Sequence, residues 1–188
     1  MHNQMTNTKT KQYIPKKPTK ERLRNIAYFY LTRYSSSSEN LRRVLKKRVY
    51  KAAKFHHIDI PKSDEWIGQI IEYFTKSGGL DDMRFARTKI SDLSQKGKPP
   101  SVIKLYLLSK GVTKNIIEIV MSELSQSLDT LELSAAHQYA RRRRIGPYRQ
   151  SPLTHKIKKK ELRKLAMAGY SYKISNQLVH SKIEKSAP

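Results

Sequence analysis

The sequence predicts an all-α fold of three tandem three-helix repeats forming an elongated, curved body. Three observations lead there. Apolar residues recur at i, i+3, i+4 and i+7 along most of the chain, and no segment alternates apolar and polar residues as a half-buried strand would. Ser, Thr and Asp ahead of the apolar stripes and Gly behind them divide those stripes into short helices. One turn block also occurs twice without a gap.

Taken in order, residues 1–18 carry Lys9, Lys11, Lys16 and Lys17 with Pro15 and Pro18 and almost nothing apolar, which reads as a disordered basic arm. The first helix starts at Thr19 or Lys20, with Leu23, Ile26, Ala27, Tyr30, Leu31 and Tyr34 on one stripe. Ser36 with Glu39 is a capping box for the second helix. That helix turns Leu41, Val44, Leu45, Val49 and Ala52 inward and crowds Arg42, Arg43, Lys46 and Lys47 onto its other faces. After a connector over residues 56–61, Ser63 is expected to cap a third helix, with Trp66, Ile67, Ile70, Ile71 and Phe74 apolar. Trp66, Phe74, Tyr30 and Tyr106 are expected in the core.

The joint at Gly78-Gly79-Leu80-Asp81-Asp82 ends that helix and caps the next one. The fourth helix carries Met83, Ala86, Ile90 and Leu93, and Gly97 closes it. Pro99-Pro100 opens a fifth helix, apolar from Val102 through Leu108 (Leu105 included) and expected to be central. Gly111 with Val112 closes it, and Thr113 caps a sixth helix bearing Ile116, Ile117, Val120, Met121 and Leu124. Asp129 with Glu132 is read as a capping box for a seventh helix that runs into Arg141-Arg142-Arg143-Arg144. A break comes next at residues 145–148. The eighth helix carries Ile157, Leu162, Leu165 and Ala166, Gly169 closes it, and Ser171 caps a ninth helix with Ile174 and Leu178.

The repeated block is Leu107 to Ile116 against Leu165 to Ile174. Leucine, capping glycine, an apolar or aromatic residue, a hydroxyl cap and isoleucine match in register, and Val120 and Leu178 continue it. Ala27, Ala86 and Ala136 are each followed at i+4 by Leu31, Ile90 and Ala140. Repeats are therefore expected over residues 19–78, 79–128 and 129–184, each of about fifty residues and marginal alone.

Charge dominates the composition: 39 Lys and Arg against 15 Asp and Glu give a formal +24 over 188 residues. Such a chain is drawn to polyanions, and nucleic acid or a nucleoprotein is the expected partner class. No apolar run reaches bilayer length, so no membrane is expected. The polar N-terminus lacks the apolar segment of a signal peptide, and the absence of cysteine fits a reducing compartment. No catalytic constellation is legible. Asp81-Asp82 reads as a helix cap, His56-His57 are adjacent and point apart on a helix, and there is no phosphate loop, nucleophile elbow or cysteine nucleophile. A non-enzyme without cofactor or metal is expected.

The candidate binding residues are basic. Arg141, Arg142, Arg143 and Arg144, with Tyr148 and Arg149 just beyond, combine guanidinium forks with a ring that can stack. Lys158, Lys159 and Lys160 lie close in sequence, and Arg42, Arg43, Lys46 and Lys47 form a second patch.

Several segments together carry a family resemblance. They are Ala27-x-x-Tyr30-Leu31-x-Arg33-x-Ser35-Ser36 with Leu41-Arg42-x-x-Leu45-x-x-Arg48, then Gly79-Leu80-Asp81-Asp82-x-x-Phe85-Ala86. Lys96-Gly97-x-x-x-Ser101-x-Ile103-x-x-x-Leu107-x-x-Lys110-Gly111-Val112 and Leu162-x-x-Leu165-x-x-x-Gly169-Tyr170 complete the set. Over residues 20–182 the chain resembles the RecX family of bacterial recombination regulators. Relative to that pattern the third unit carries a basic insertion at about residues 146–154. The resemblance implies a cytoplasmic bacterial regulator that binds RecA and the RecA–DNA filament and inhibits recombinase, ATPase and co-protease activity, so modulating repair and recombination. Direct contact with single- or double-stranded DNA is left open by the sequence, and a monomer is expected. The alternative is a sequence-specific or general DNA- or RNA-binding helical protein acting without RecA; the turns at Gly111 and Gly169 do sit between short helices.

Overall fold

A computed structural model describes residues 14–124 and 128–181. The expected basic arm lies outside the described residues up to residue 13, as do residues 125–127 and residues 182–184 at the end of the third expected repeat. Among the described residues there are nine α-helices, one 3-10 turn and no strand. The helices are α1 (Lys20–Leu31), α2 (Ser38–Ala53), α3 (Ile60–Lys76), α4 (Asp82–Gln95), α5 (Pro100–Ser109), α6 (Lys114–Leu124), α7 (Leu128–Arg143), α8 (His155–Ala168) and α9 (Tyr172–His180), with the 3-10 turn at Gly146–Tyr148. The described residues divide into two compact units, one holding those up to residue 34 with 41–79, the other 35–40 with those from residue 80 on.

In the first unit α1 packs on α3. Thr19 caps α1 by accepting from the Arg22 N–H. Leu23, Ala27, Leu41, Leu45, Val49, Ala52, Ile67 and Ile70 are almost fully buried. Each large aliphatic among them contributes about 1.5–3 kcal/mol by leaving water. Lys46 ties α2 to α3 through Asp64 at 2.9 Å. Residues 14–18 adjoin this unit: Pro18 is buried, and the Pro15 carbonyl contacts His56 Nε2 at 2.7 Å.

Several helix starts differ from expectation. α3 begins at Ile60, not after Ser63. Asp59 caps it, accepting from the Lys62 N–H at 2.9 Å, and Pro61 occupies the first turn, where its missing N–H costs nothing. Ser63 is buried inside that turn, donating to the Asp59 carbonyl. α2 is capped by Ser37 rather than Ser36, the Ser37 hydroxyl accepting from the Asn40 N–H and donating to the Lys110 carbonyl. α7 begins at Leu128, ahead of Asp129, which pairs instead with Lys173, while Glu132 accepts from the Ser171 N–H. Some burial expectations also fail. Tyr34, Leu105 and Ala166 are exposed, and Trp66, Tyr30 and Tyr106 are half-buried. Tyr34 lies beyond the end of α1, and α5 is covered on one side only, so Leu105 faces away from the core formed by Ile103 and Leu107.

The second unit holds two apolar cores. One gathers Phe85, Ala86, Ile90, Ile103, Leu107 and Ile117 from α4 to α6. The other gathers Ala136, Ala140, Ile145, Leu165, Ile174 and Leu178 from α7 to α9 and the loop after α7. Leu131 of α7 packs against the first core. The buried Tyr170 hydroxyl donates toward the Gly97 carbonyl at 2.6 Å and lies 3.1 Å from the Ala135 carbonyl. Ser101 Oγ donates to the Gly169 carbonyl at 2.9 Å. These polar contacts join the α4–α5 region to the α7–α9 region at fixed points.

Candidate nucleic-acid interface

The arginine run is the last turn of α7, where the helix dipole favours cations. Arg144 then adopts φ +53, and the Ile145 N–H returns to the Ala140 carbonyl at 3.0 Å, closing the helix. Successive helical residues project about 100° apart, so the four side chains fan out. Arg141 lies over the Tyr148 ring at 5.5 Å and Arg143 over the Tyr139 ring at 5.9 Å. Arg142 donates to the carbonyls of Gln138 and Lys96. Arg144 reaches Gln150 Oε1 at 3.5 Å. All four remain exposed, with two held by rings and one by carbonyls.

Arg149 is placed otherwise. Its guanidinium donates to both oxygens of Glu161, at 3.2 and 2.7 Å, and to the Val179 carbonyl. Glu161 Oε2 also accepts from the Gly146 N–H at 3.1 Å. This nearly buried pair ties the loop after α7 to α8 and α9, so Arg149 serves the fold of the loop and not the open surface.

Lys158, Lys159 and Lys160 occupy the first turns of α8, just after the Thr154 cap. Cations there oppose the helix dipole, so helix stability does not account for them. Lys159 and Lys160 are exposed and Lys158 is half-buried. On α2, Arg43 and Lys47 line a shallow depression with Tyr50, Lys51 and Lys54. Lys46 also lines it but is held by Asp64, whose hydrogen bond raises the lysine above its ordinary pKa. Arg42 is half-buried. This patch belongs to the first unit; the arginine run and the α8 lysines belong to the second.

Sequence reasoning missed Lys96, Lys98 and Tyr139. They share a cleft with Arg142 and Arg143. The two lysines flank the glycine that closes α4, a doublet legible in sequence but with nothing there to tie it to α7. His137 stands beside the run, its Nδ1 3.2 Å from the Tyr148 hydroxyl. Burial, and then the Arg141 charge, push it below the usual histidine value. Burial pushes the Tyr170 phenol well above its ordinary value, so it stays a hydrogen-bond donor.

The acidic joint is spent on backbone. Asp81 caps α4 by accepting from the Arg84 N–H at 2.9 Å, and Asp82 accepts from the Ser38 N–H at 2.7 Å. Among the described residues no three His, Asp or Glu side chains gather as a metal would require, and no helix is long and apolar enough to cross a membrane.

Residues 81–121 match the family model described as RecX, second three-helix domain. The regulatory protein RecX of Myxococcus xanthus is 32% identical over 177 residues, covering 92% of this chain and 94% of that protein. The regulatory protein RecX of Agrobacterium fabrum is 26% identical over 164 residues, covering 87% and 84%. The crystal structure of RecX from Lactobacillus salivarius shares the fold with a TM-score of 0.61 at 21% identity, over 85% of this chain and 94% of that one. A second RecX crystal structure also gives 0.61, at 17% identity, over 85% and 70%. The chain belongs to the RecX family of regulatory proteins.

Proposed function

We propose that the protein regulates RecA by binding RecA and the RecA–DNA filament, and that occupancy of the filament lowers recombinase, ATPase and co-protease activity. The observation that carries this is a relationship to a regulatory RecX protein running along 92% of the chain rather than one module. The electrostatics support it. The second unit presents Arg141, Arg143, Arg144, Lys159 and Lys160 to solvent, and the first presents Arg43 and Lys47. A filament of DNA phosphates and protein is a polyanion that such faces meet. The protein itself performs no chemistry in this reading; it changes the turnover of its partner, as a monomer in the bacterial cytoplasm, without cofactor.

Sedimentation of preformed RecA filaments on single-stranded DNA tests the binding step. The protein should pellet with filaments at low salt and leave them as salt rises. Protein that stays in the supernatant at every salt concentration contradicts the reading. Footprinting of one preferred duplex sequence without RecA would favour the alternative of an independent DNA-binding module.

A further inference from the structure

The cleft in the second unit brings together Lys96 and Lys98 from the α4–α5 loop, Tyr139, Arg142 and Arg143 from α7, and Met167 from the end of α8. It encloses about 760 Å³, within the roughly 300–1,000 Å³ of small-ligand sites. Four of these six side chains are cationic, and no acidic side chain lines the cleft among the described residues.

The cleft is held in shape from behind. Arg142 donates to the Lys96 carbonyl, and the Tyr170 hydroxyl holds the Gly97 carbonyl at 2.6 Å. A Cβ on Gly97 would lie 2.8 Å from the Tyr139 nitrogen and 3.0 Å from the Ala135 carbonyl oxygen, so the loop is seated directly on α7. The Lys98 backbone N–H closes α4 on the Leu93 carbonyl at 2.9 Å. That closure uses no side chain; the dipole at the end of α4 favours a cation there, and the cleft gathers four. Gathering like charges costs Coulomb energy, and an anion offsets it.

The wall is not purely ionic. Met167 is 80% exposed beside the Arg143–Tyr139 stack. A simple anion needs only the cations. A lipid surface needs a broad apolar helix face, which this cleft lacks. A duplex keeps its bases stacked inside and would leave the Met167–Tyr139 wall unused. Cations alternating with an aromatic and a thioether suit a strand that offers phosphates and open base faces together.

We propose that this cleft holds a short stretch of single-stranded DNA, with phosphates on Lys96, Lys98 and Arg143 and a base against Met167 and Tyr139. The assignment rests on the filament reading, and it names the strand, not RecA, as what the second unit grips there.

The test uses the full chain and a fluorescein-labelled oligothymidylate, with anisotropy titrations at several NaCl concentrations. Single-strand binding loses about 0.7 in log–log salt slope per phosphate contact removed. The variant Lys96→Gln/Lys98→Gln should therefore lower the slope by about 1.4, and the fall in affinity between 50 and 200 mM NaCl should shrink about sevenfold. Arg143→Gln should remove a further half of that, and Met167→Gln should reduce the preference for single strand over duplex. Circular dichroism and urea midpoints should match the wild type, since all four side chains lie at the surface. An unchanged slope in both basic variants overturns the proposal. So does an equal loss for single strand and duplex, which marks unspecific charge. RecA ATP hydrolysis run in parallel separates the two readings. A wild type that binds the strand through these residues but leaves ATP hydrolysis untouched sinks the filament reading alone. Variants that keep strand binding but lose the filament put a RecA surface in the cleft and sink this one.

Discussion

The turns at Gly111 and Gly169 are made the same way and used differently. In the first, the Val112 N–H returns to the Leu107 carbonyl and the Gly111 N–H to the Leu108 carbonyl, with φ +79 at the glycine. In the second, the Tyr170 N–H returns to Leu165 and the Gly169 N–H to Ala166, with φ +94. Thr113 and Ser171 cap the following helices at the same 3.4 Å. The local code is identical and both turns make tertiary contacts, but through different groups: at the first the Lys110 carbonyl accepts from Ser37, and at the second the Gly169 carbonyl accepts from Ser101 while the Tyr170 hydroxyl reaches Gly97. A repeated turn motif fixes how two helices meet. The residue after the glycine, valine in one turn and tyrosine in the other, decides whether the turn also sets a side-chain hydroxyl on a neighbour.

The same register, 58 residues apart, exposes two further substitutions. Glu161 stands where the second repeat has Ile103, and Ser175 where it has Ile117; all four positions are buried. At these positions the third repeat holds polar groups where the second holds apolar core. One exchange has a structural cause, since Glu161 receives Arg149 and the Gly146 N–H from the extra loop. Ser175 has none: among the described residues its hydroxyl is buried without a partner.

The contrast can be broken most sharply at the ion pair. Glu161→Gln strands the Arg149 charge in a nearly buried place and should cost about 3–5 kcal/mol in urea unfolding, whereas Ile103→Val, at the matching position, should cost only about 0.5–1.5 kcal/mol. Similar losses would show that the pair is no more than filler. Next comes Gly169→Ala. Left-handed backbone costs an alanine about 1–2 kcal/mol at either turn. At Gly169 the new Cβ would also meet Val102 Cγ2 at 2.9 Å, adding about 1–3 kcal/mol of overpacking. Gly169→Ala should therefore lose more than the left-handed cost alone, and a loss of only about 1–2 kcal/mol would show that Val102 does not confine the second turn.

Much of this was legible in the chain. Thr19, Asp81, Thr113 and Ser171 act as caps because a short side chain needs only the three residues after it. The glycine turns needed only the sign of one φ angle. Expectation failed where a distant group competed. Ser37 displaced Ser36 while also reaching Lys110, and Asp129 and Glu132 turned to Lys173 and Ser171 instead of capping. The candidate site divided along the same line. Exposed arginines at the end of α7 could be expected from composition. The internal use of Arg149, and the meeting of Lys96 and Lys98 with Arg142 and Arg143, depend on side chains twelve to forty-six residues apart.

Two smaller effects sharpen the comparison. Ser175→Ala removes a buried hydroxyl that has no partner and should raise the urea midpoint, by about 1 kcal/mol of stability; a loss of that size would mean the hydroxyl is satisfied. His137 tests the neighbourhood of the arginine run. Its pKa in the folded protein lies below the unfolded value of about 6.5, so the folded state favours the neutral ring. The stability this gives is complete above about pH 6.5 and is lost as pH falls toward the folded value, with no further loss below it. His137→Gln should flatten that part of the stability profile between pH 7 and 5, and an unchanged profile would remove His137 as its source.

The central proposal is that the protein restrains RecA on DNA. Its most direct measurement is the rate of ATP hydrolysis by preformed RecA filaments on single-stranded DNA as this protein is added. Hydrolysis should fall with added protein, and the fall should weaken as salt screens the basic faces. A rate unchanged up to one protein per RecA would contradict the account.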